Sequence, residues 1–183
     1  MTDKTGRRAT FVFGGARSGK SRFAETLAEN SGLQKIYIAT GAAFDTEMAD
    51  RIDRHQVQRG SSWTTVEEQI DLVGVIAREA SETCVLLVDC LTLWLSNLMF
   101  ADKDIPDETA RLVDALSGLA GPCLFVSNEV GMGIVPENRL SRSFRDAQGQ
   151  LNQDIAEASG QVVFVAAGQP LVLKPNSQPE ITL

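Results

Sequence analysis

The sequence has few of the residues that build disulfide frameworks, zinc sites or multi-histidine metal centres. Its 183 residues include 3 Cys and 1 His. The cysteines are odd in number and lack Cys-x-x-Cys spacing, so they predict neither a disulfide framework nor a zinc site. A single histidine excludes metal sites built from several imidazoles. Any catalytic imidazole must therefore be His55.

Basic residues are also in the minority. Lys and Arg total 17 against 24 Asp and Glu, which gives a formal net charge of −7. Proteins that bind nucleic acid or anionic membranes generally carry a net basic face. We therefore expect no nucleic-acid partner. The hydrophobic content of 43% and the charged content of 22% are ordinary for a globular protein, and the length predicts a single domain over residues 1–183.

Long apolar runs are missing too. The first ten residues are polar and lack the apolar region of a signal peptide. The apolar stretch 84–101 contains Asp89, Thr92 and Asn97 and falls short of the ~20 apolar residues that span a bilayer. It predicts a buried strand followed by a core helix. We expect no membrane span and, with reduced cysteines, a cytoplasmic protein.

Short apolar runs alternate with helical patterns along the chain. Strands are predicted at 10–13, 35–40, 63–67, 84–89, 122–127 and 161–166, with a possible last strand at 171–173. Helices are predicted at 20–30, 45–59, 70–80, 91–101 and 106–119, followed by a long helix that ends near 159. Continuously apolar short strands are typical of a parallel sheet covered on both faces. The alternation predicts an α/β fold.

The strongest motif is GGARSGKS at residues 14–21, which satisfies G-x-x-x-x-G-K-[ST] between a predicted strand and a predicted helix. Backbone N–H groups of such a loop surround phosphate oxygens at a helix N-terminus. Lys20 is suited to the β- and γ-phosphates, and the Ser21 hydroxyl to Mg²⁺. The alternative is a glycine-rich turn without a ligand. The predicted nucleotide-binding residues here are Gly14, Gly15, Ala16, Arg17, Ser18, Gly19, Lys20 and Ser21.

A second magnesium ligand is predicted at Asp89, which ends an apolar strand where a Walker-B carboxylate belongs. The alternative is that Asp89 or Thr92 caps the following helix. Together the two motifs favour a P-loop NTPase-type (RecA-like) three-layer sandwich with a mostly parallel central sheet. No guanine-reading N-K-x-D loop is present, and the acidic charge disfavours a DNA-dependent ATPase.

Four segments stand in order: GGARSGKS at 14–21, YIATG at 37–41 with DTEMADRIDRH at 45–55, LLVDCLTLWLSNLMF at 86–100, and SNEVGMGIVPENRLSRSFRDAQGQLNQ at 127–153. From residue 10 to about 174 the chain closely resembles the bifunctional adenosylcobinamide kinase / adenosylcobinamide-phosphate guanylyltransferase family of cobalamin biosynthesis. The resemblance implies that ATP or GTP phosphorylates the aminopropanol hydroxyl of adenosylcobinamide. GTP then gives GMP to that phosphate, which yields adenosylcobinamide-GDP and pyrophosphate.

The resemblance also implies a covalent GMP–histidine intermediate. The family's E-M-x-x-R-I-x-x-H pattern is met by Glu47, Met48, Arg51, Ile52 and His55. A neutral imidazole, whose ordinary pKa is near 6.5, is a competent nucleophile at physiological pH. The residues alone favour the alternative, a solvated helix position between the polar Arg54 and Gln56, and the family pattern reverses that preference.

Other implied nucleotide contacts are less specific. They are Ala39, Thr40, Gly41, Gln56, Val57, Gln58, Arg59 and Glu67. Glu67 is either such a contact or a surface carboxylate. The resemblance also implies a homo-oligomer, with a trimer as the expected form. The glycine-rich loop at 128–136 either approaches a corrinoid or phosphate or is a structural turn. Arg139, Arg142 and Arg145 form either a phosphate site or, as we favour, a solvated helix face paired with Asp146 and Glu137.

Two other functions fit the nucleotide-binding motifs: a P-loop kinase for a small hydroxylated substrate that lacks nucleotidyl transfer, and a nucleotide-binding regulatory module without chemistry.

Overall fold

A computed structural model describes residues 8–41 and 62–175. Within these ranges the chain forms seven strands and five helices. The strands are β1 (Ala9–Gly14), β2 (Gln34–Ala39), β3 (Trp63–Glu67), β4 (Cys84–Asp89), β5 (Cys123–Asn128), β6 (Gln161–Ala166) and β7 (Gln169–Lys174). The helices are α1 (Lys20–Asn30), α2 (Leu72–Glu79), α3 (Leu91–Phe100), α4 (Ile105–Ser117) and α5 (Arg139–Ala158). The predicted helix at 45–59 lies outside the described residues.

The strands form one sheet in the order β3-β2-β4-β5-β1-β6-β7. All neighbouring pairs are parallel except β6 and β7. Side chains of α1 pack into the core on one face, and those of α2 to α5 pack into the core on the other. This arrangement confirms the predicted three-layer α/β fold of the P-loop NTPase type, with a mostly parallel central sheet.

The central strands are apolar along their whole length because both faces of the sheet are covered. In β4, Val85 and Leu87 belong to the core beneath α1, whereas Leu86 and Val88 belong to the core on the opposite face. All four side chains are at most 2% exposed. Because successive side chains of a strand point to opposite faces of the sheet, this one apolar strand contributes to both cores.

Capping side chains set where helices begin. Asp71 accepts a hydrogen bond from the Gly74 N–H at the start of α2. The Glu68 carboxylate accepts those of Ile70 and Asp71. Because side chains accept these N–H groups, the first helical residue is Leu72 and not the predicted residue 70. Most other boundaries match the predictions to within two residues.

The last strand is longer than predicted and runs in the opposite direction to the rest of the sheet. β7 covers Gln169–Lys174 rather than 171–173 and pairs antiparallel with β6. The two strands are joined by Ala167 and Gly168, whose φ angles are 50° and 76°. Two successive positive φ angles are the geometry of a tight two-residue hairpin turn.

Among the described helices, none is long and apolar enough to cross a membrane. The most apolar, α3, has 10 residues. That corresponds to about 15 Å of helix, half of a bilayer's hydrocarbon thickness.

Candidate nucleotide-binding site

The predicted site residues that the structure describes meet at one edge of the sheet. Gly14 at the end of β1 lies beside Asn128 at the end of β5. Asp89 at the end of β4 lies beside Ala39 of β2, which in turn lies beside Glu67 of β3. These are the carboxyl ends of the parallel strands, where α/β proteins bind their ligands. Glu67 is exposed there.

The P-loop connects β1 to α1 at this edge, and its glycines permit close backbone packing. A Cβ atom at Gly14 would collide with the Val165 carbonyl oxygen. Gly19 has a φ of 94° and immediately precedes α1. The loop is also tied to the β6–β7 turn, because the Gly168 N–H donates to the Ser18 carbonyl at 2.7 Å. The loop conformation is therefore supported by β6 and the hairpin turn behind it.

Side chains of the P-loop differ in exposure. Ala16 and Arg17 are exposed. Lys20 is only 8% exposed, and its ammonium donates to the Gly15 carbonyl at 3.2 Å. The Ser18 hydroxyl is buried and has no hydrogen-bond partner among the described residues. The lysine therefore lies back along the loop, close to the backbone groups that would surround phosphate.

The charges of Asp89 and Lys20 both act on the Cys90 thiol. Burial raises the pKa of the Cys90 thiol to about 11, and the Asp89 charge adds to the rise. Lys20 acts on the same thiol in the opposite direction. The helix α1 packs against β4 and β5 as well as β1. The N-terminus of α1, with Ser21, and the Asp89 carboxylate therefore lie in the same region.

The alternative interpretation of Asp89 and Thr92 as helix caps is wrong. The residue that precedes α3 is Cys90, and no side-chain capping bond is formed there. The Thr92 hydroxyl instead accepts the Asn128 N–H at 2.8 Å. Asp89 is half-buried at the sheet edge. Its carboxylate and the Ser21 hydroxyl are hard oxygen donors of the kind that hold Mg²⁺ together with phosphate oxygens.

Thr40 uses its polar atoms within the protein. It is fully buried. Its hydroxyl donates to the Cys90 carbonyl at 2.7 Å and accepts the Cys90 N–H at 2.8 Å. Its carbonyl accepts the Asn97 side-chain amide at 2.8 Å. Thr40 thus holds the ends of β2 and β4 together, and its neighbour Gly41 is half-buried beside it.

A buried polar network beneath the edge is absent from the sequence predictions. The Gln148 amide donates to Ser127 Oγ at 3.0 Å and to Asn152 Oδ1 at 2.9 Å. Asn152 in turn donates to the Asn128 carbonyl at 3.1 Å. The network, together with Thr92, fixes both backbone groups of Asn128. Its signal in the sequence is a pair of amides four residues apart on the core face of a helix.

The arginines on α5 form mainly the solvated face that the sequence favoured. Arg145 pairs with Asp146 at 3.2 Å. Arg142 donates to the carbonyls of Pro136 and Glu137 rather than to a carboxylate, and Arg139 is exposed. Arg142 therefore fastens the preceding loop to α5.

The remaining predicted site residues, His55, Gln56, Val57, Gln58 and Arg59, lie outside the described residues.

The fold, the P-loop and the Asp89 carboxylate at the end of β4 together define a nucleotide-binding protein of the P-loop NTPase type. The family model for cobinamide kinase / cobinamide phosphate guanyltransferase matches residues 10–173. The chain belongs to this family.

Curated relatives cover almost the same span. The chain is 47% identical over 165 residues to the bifunctional adenosylcobalamin biosynthesis protein CobP of Pseudomonas aeruginosa, which covers 89% of this chain and 95% of the relative. It is 41% identical to the CobU protein of Escherichia coli and 39% identical to that of Salmonella typhimurium, and each match covers 89% of this chain and 98% of the relative. A solved structure of the RadB recombinase is 12% identical, with a TM-score of 0.48 over 87% of this chain and 74% of the recombinase.

Proposed function

We propose that the protein phosphorylates the aminopropanol hydroxyl of adenosylcobinamide and then transfers GMP from GTP to the resulting phosphate. The observation that supports this most directly is the family match over residues 10–173, on a chain whose P-loop, Asp89 and Glu67 share one sheet edge. Products are adenosylcobinamide-GDP and pyrophosphate. The proposed setting is cytoplasmic, as a homo-oligomer.

In the kinase reaction the substrate hydroxyl oxygen attacks the γ-phosphorus of ATP or GTP, and the hydroxyl proton is released to water. The bond from that phosphorus to the β–γ bridging oxygen breaks, and the nucleoside diphosphate leaves. P-loop N–H groups and the Lys20 ammonium stabilise the negative charge on the transferred group. Ser21 and Asp89 would hold Mg²⁺, which neutralises phosphate charge when bound.

In the transferase reaction we propose that a neutral His55 nitrogen attacks the α-phosphorus of GTP. Pyrophosphate leaves, and GMP stays on the imidazole through a P–N bond. A phosphate oxygen of adenosylcobinamide phosphate then attacks that phosphorus and the P–N bond breaks. Two easier displacements replace a single difficult one.

The cysteine thiols are less suited than His55 to act as the nucleophile. Cys90 lies next to Asp89 at the sheet edge but is 6% exposed, and burial raises its pKa to about 11. At neutral pH only about one thiol in ten thousand is then ionised. Cys84 and Cys123 are buried at the first positions of β4 and β5, at the opposite edge of the sheet from Asp89. The chemistry therefore points to the lone histidine.

Two isotope labels separate the two reactions. Wild-type protein with adenosylcobinamide should acquire label in the substrate from γ-labelled nucleotide and, separately, from α-labelled GTP. Lys20→Ala should lose the first transfer, because its ammonium is missing from the phosphate site. His55→Ala should lose only the second, whereas the matched control Asp53→Ala, in the same segment, should retain both.

The outcomes also test the competing functions. Transfer of the γ-label without the α-label would indicate a P-loop kinase that lacks nucleotidyl transfer. Nucleotide binding without either product would indicate a regulatory module. Retention of α-label transfer in His55→Ala would overturn the covalent mechanism while leaving both activities in place.

A further inference from the structure

The loop after β5 and the first turn of α5 expose large apolar side chains. Met132 is 79% exposed, Ile134 97%, Val135 60% and Leu140 63%. We call these four residues the loop surface. The other exposed large hydrophobic residues described lie on α1 (Leu27), on α3 (Phe100) and on β7 (Leu171, Val172 and Leu173). Large apolar side chains exposed within a short stretch of chain are a common feature of binding sites.

The loop surface is located beside the phosphate-binding loop. The Glu129 N–H, at the start of the loop, donates to the Gly14 carbonyl of the P-loop at 3.0 Å. The strands that carry the two loops are hydrogen-bonded neighbours, with Asn128 opposite Gly14. Any group held on the loop surface therefore lies at the same sheet edge as the transferable phosphate.

Both ends of the loop are fixed, although its apolar side chains are in solvent. Glu129 anchors the first end. At the other end Arg142 donates to the Pro136 carbonyl at 3.0 Å, and Asn138 caps α5 by accepting the Ser141 N–H at 2.7 Å. Between them, Gly133 leaves open space where a side chain would be. The loop therefore presents its apolar side chains from an anchored backbone.

We propose that the loop surface binds the corrin macrocycle of cobinamide through one apolar face of the ring. This inference rests on the proposed function and adds to it a site for the substrate's largest part. The reactive hydroxyl is at the end of an arm of the macrocycle, so the ring must lie within one arm's length of the γ-phosphate. Among the exposed apolar residues described, those of the loop surface follow the strand end whose backbone is hydrogen-bonded to the P-loop. The apolar group on β7 is on the outermost strand.

The experiment compares Met132→Ser/Ile134→Ser with the control Leu171→Ser, which changes a 59%-exposed side chain on β7. Cobinamide affinity is measured by equilibrium dialysis, which needs no turnover, and KM and kcat by γ-label transfer. Kd for GTP and the molar mass in solution are measured alongside. We expect the double variant to raise the cobinamide Kd and KM at least about tenfold, with GTP affinity, kcat and molar mass unchanged. Leu171→Ser should match the wild type.

Unchanged cobinamide affinity in the double variant would overturn the proposal. A fall in molar mass that accompanies weaker binding would also overturn it, because it would assign the loop surface to a contact between copies of the chain. Cobinamide binding that depends on the loop surface, without phosphorylation by the wild type, would instead contradict the proposed function and leave the site supported.

Discussion

In the proposed kinase reaction, Lys20 is the side chain on which phosphoryl transfer depends most directly. It is nearly buried at the start of α1 and lies against the Gly15 carbonyl. We expect Lys20→Ala to lower kcat/KM for γ-phosphoryl transfer at least about 100-fold, because a preorganised cation is lost where charge develops. Steady-state kinetics with γ-labelled GTP measure this, and circular dichroism checks the fold. A decrease below about fivefold would contradict the role given to Lys20.

Asn152 links the buried network to the sheet edge. Asn152→Ala removes partners from Ser127, Gln148 and the Asn128 carbonyl at once. Because buried polar groups without partners are costly, we expect the free energy of unfolding to fall by about 1–3 kcal/mol. Urea unfolding measures the change. The adjacent, exposed Gln153→Ala should change stability by less than about 0.5 kcal/mol, and equal effects of the two variants would contradict the account of the network.

The sequence predicted residues that belong to a local motif and missed those whose partners are distant in the chain. Lys20, Ser21 and Asp89 could be predicted as site residues because a motif or a strand end specifies each of them. The bond from the Thr40 hydroxyl to the Cys90 carbonyl, 50 residues away, could not be predicted. No local pattern encodes such a pairing. The Ser127 and Asn152 partnership was missed for the same reason.

The β6–β7 turn supports the P-loop, because the Gly168 N–H donates a hydrogen bond to the Ser18 carbonyl. Gly19 has a positive φ of 94°, and a Cβ there would lie 3.1 Å from the Gly168 Cα. We expect Gly19→Ala to weaken GTP binding at least about tenfold, since it strains the loop and pushes on the turn that supports it. Fluorescence titration with a GTP analogue measures the Kd.

Gly149→Ala is the matched control for that substitution. Gly149 lies within α5, and a Cβ there meets nothing within 4 Å. We expect unchanged GTP affinity and a gain of about 0.5–1 kcal/mol in stability from higher helix propensity. If both alanine variants bound GTP equally well, the support that β6 and its turn give to the P-loop would be unimportant.

Among the elements, β7 is the strand whose length and direction could not be predicted from the sequence pattern. Only Leu171, Val172 and Leu173 carried an apolar signal, and nothing in three residues distinguishes a parallel from an antiparallel partner. The direction is determined by the turn at Ala167 and Gly168. A non-glycine residue at positive φ is not a common hairpin signal. Strands covered on both faces, such as β4, were predicted to the residue because burial makes their whole sequence apolar.

At the scale of the whole molecule, all three cysteine thiols are buried. The unfolded Cys90 ionises near its ordinary pKa of 9.0, whereas the folded thiol keeps its proton to about 11. The unfolded state therefore binds fewer protons between these values, and the free energy of unfolding must fall as pH rises through them. Urea unfolding at about pH 8 and about pH 10 should show a smaller fall for Cys90→Ala than for wild type. Equal falls would contradict the assigned shift.

The net charge of −7 is compatible with a polyphosphate ligand because the proposed site would use backbone dipoles, Lys20 and Mg²⁺ rather than a basic surface. On this account the lone histidine carries the covalent chemistry of the whole chain.

Intact-protein mass spectrometry after incubation with GTP and Mg²⁺ tests that claim most directly. The account predicts a mass increase of one guanylyl group, located at His55 by peptide fragmentation under basic conditions, where a phosphoramidate is stable. His55→Ala should show no increase. A guanylyl group on any other residue, or turnover to adenosylcobinamide-GDP by His55→Ala, would contradict the account.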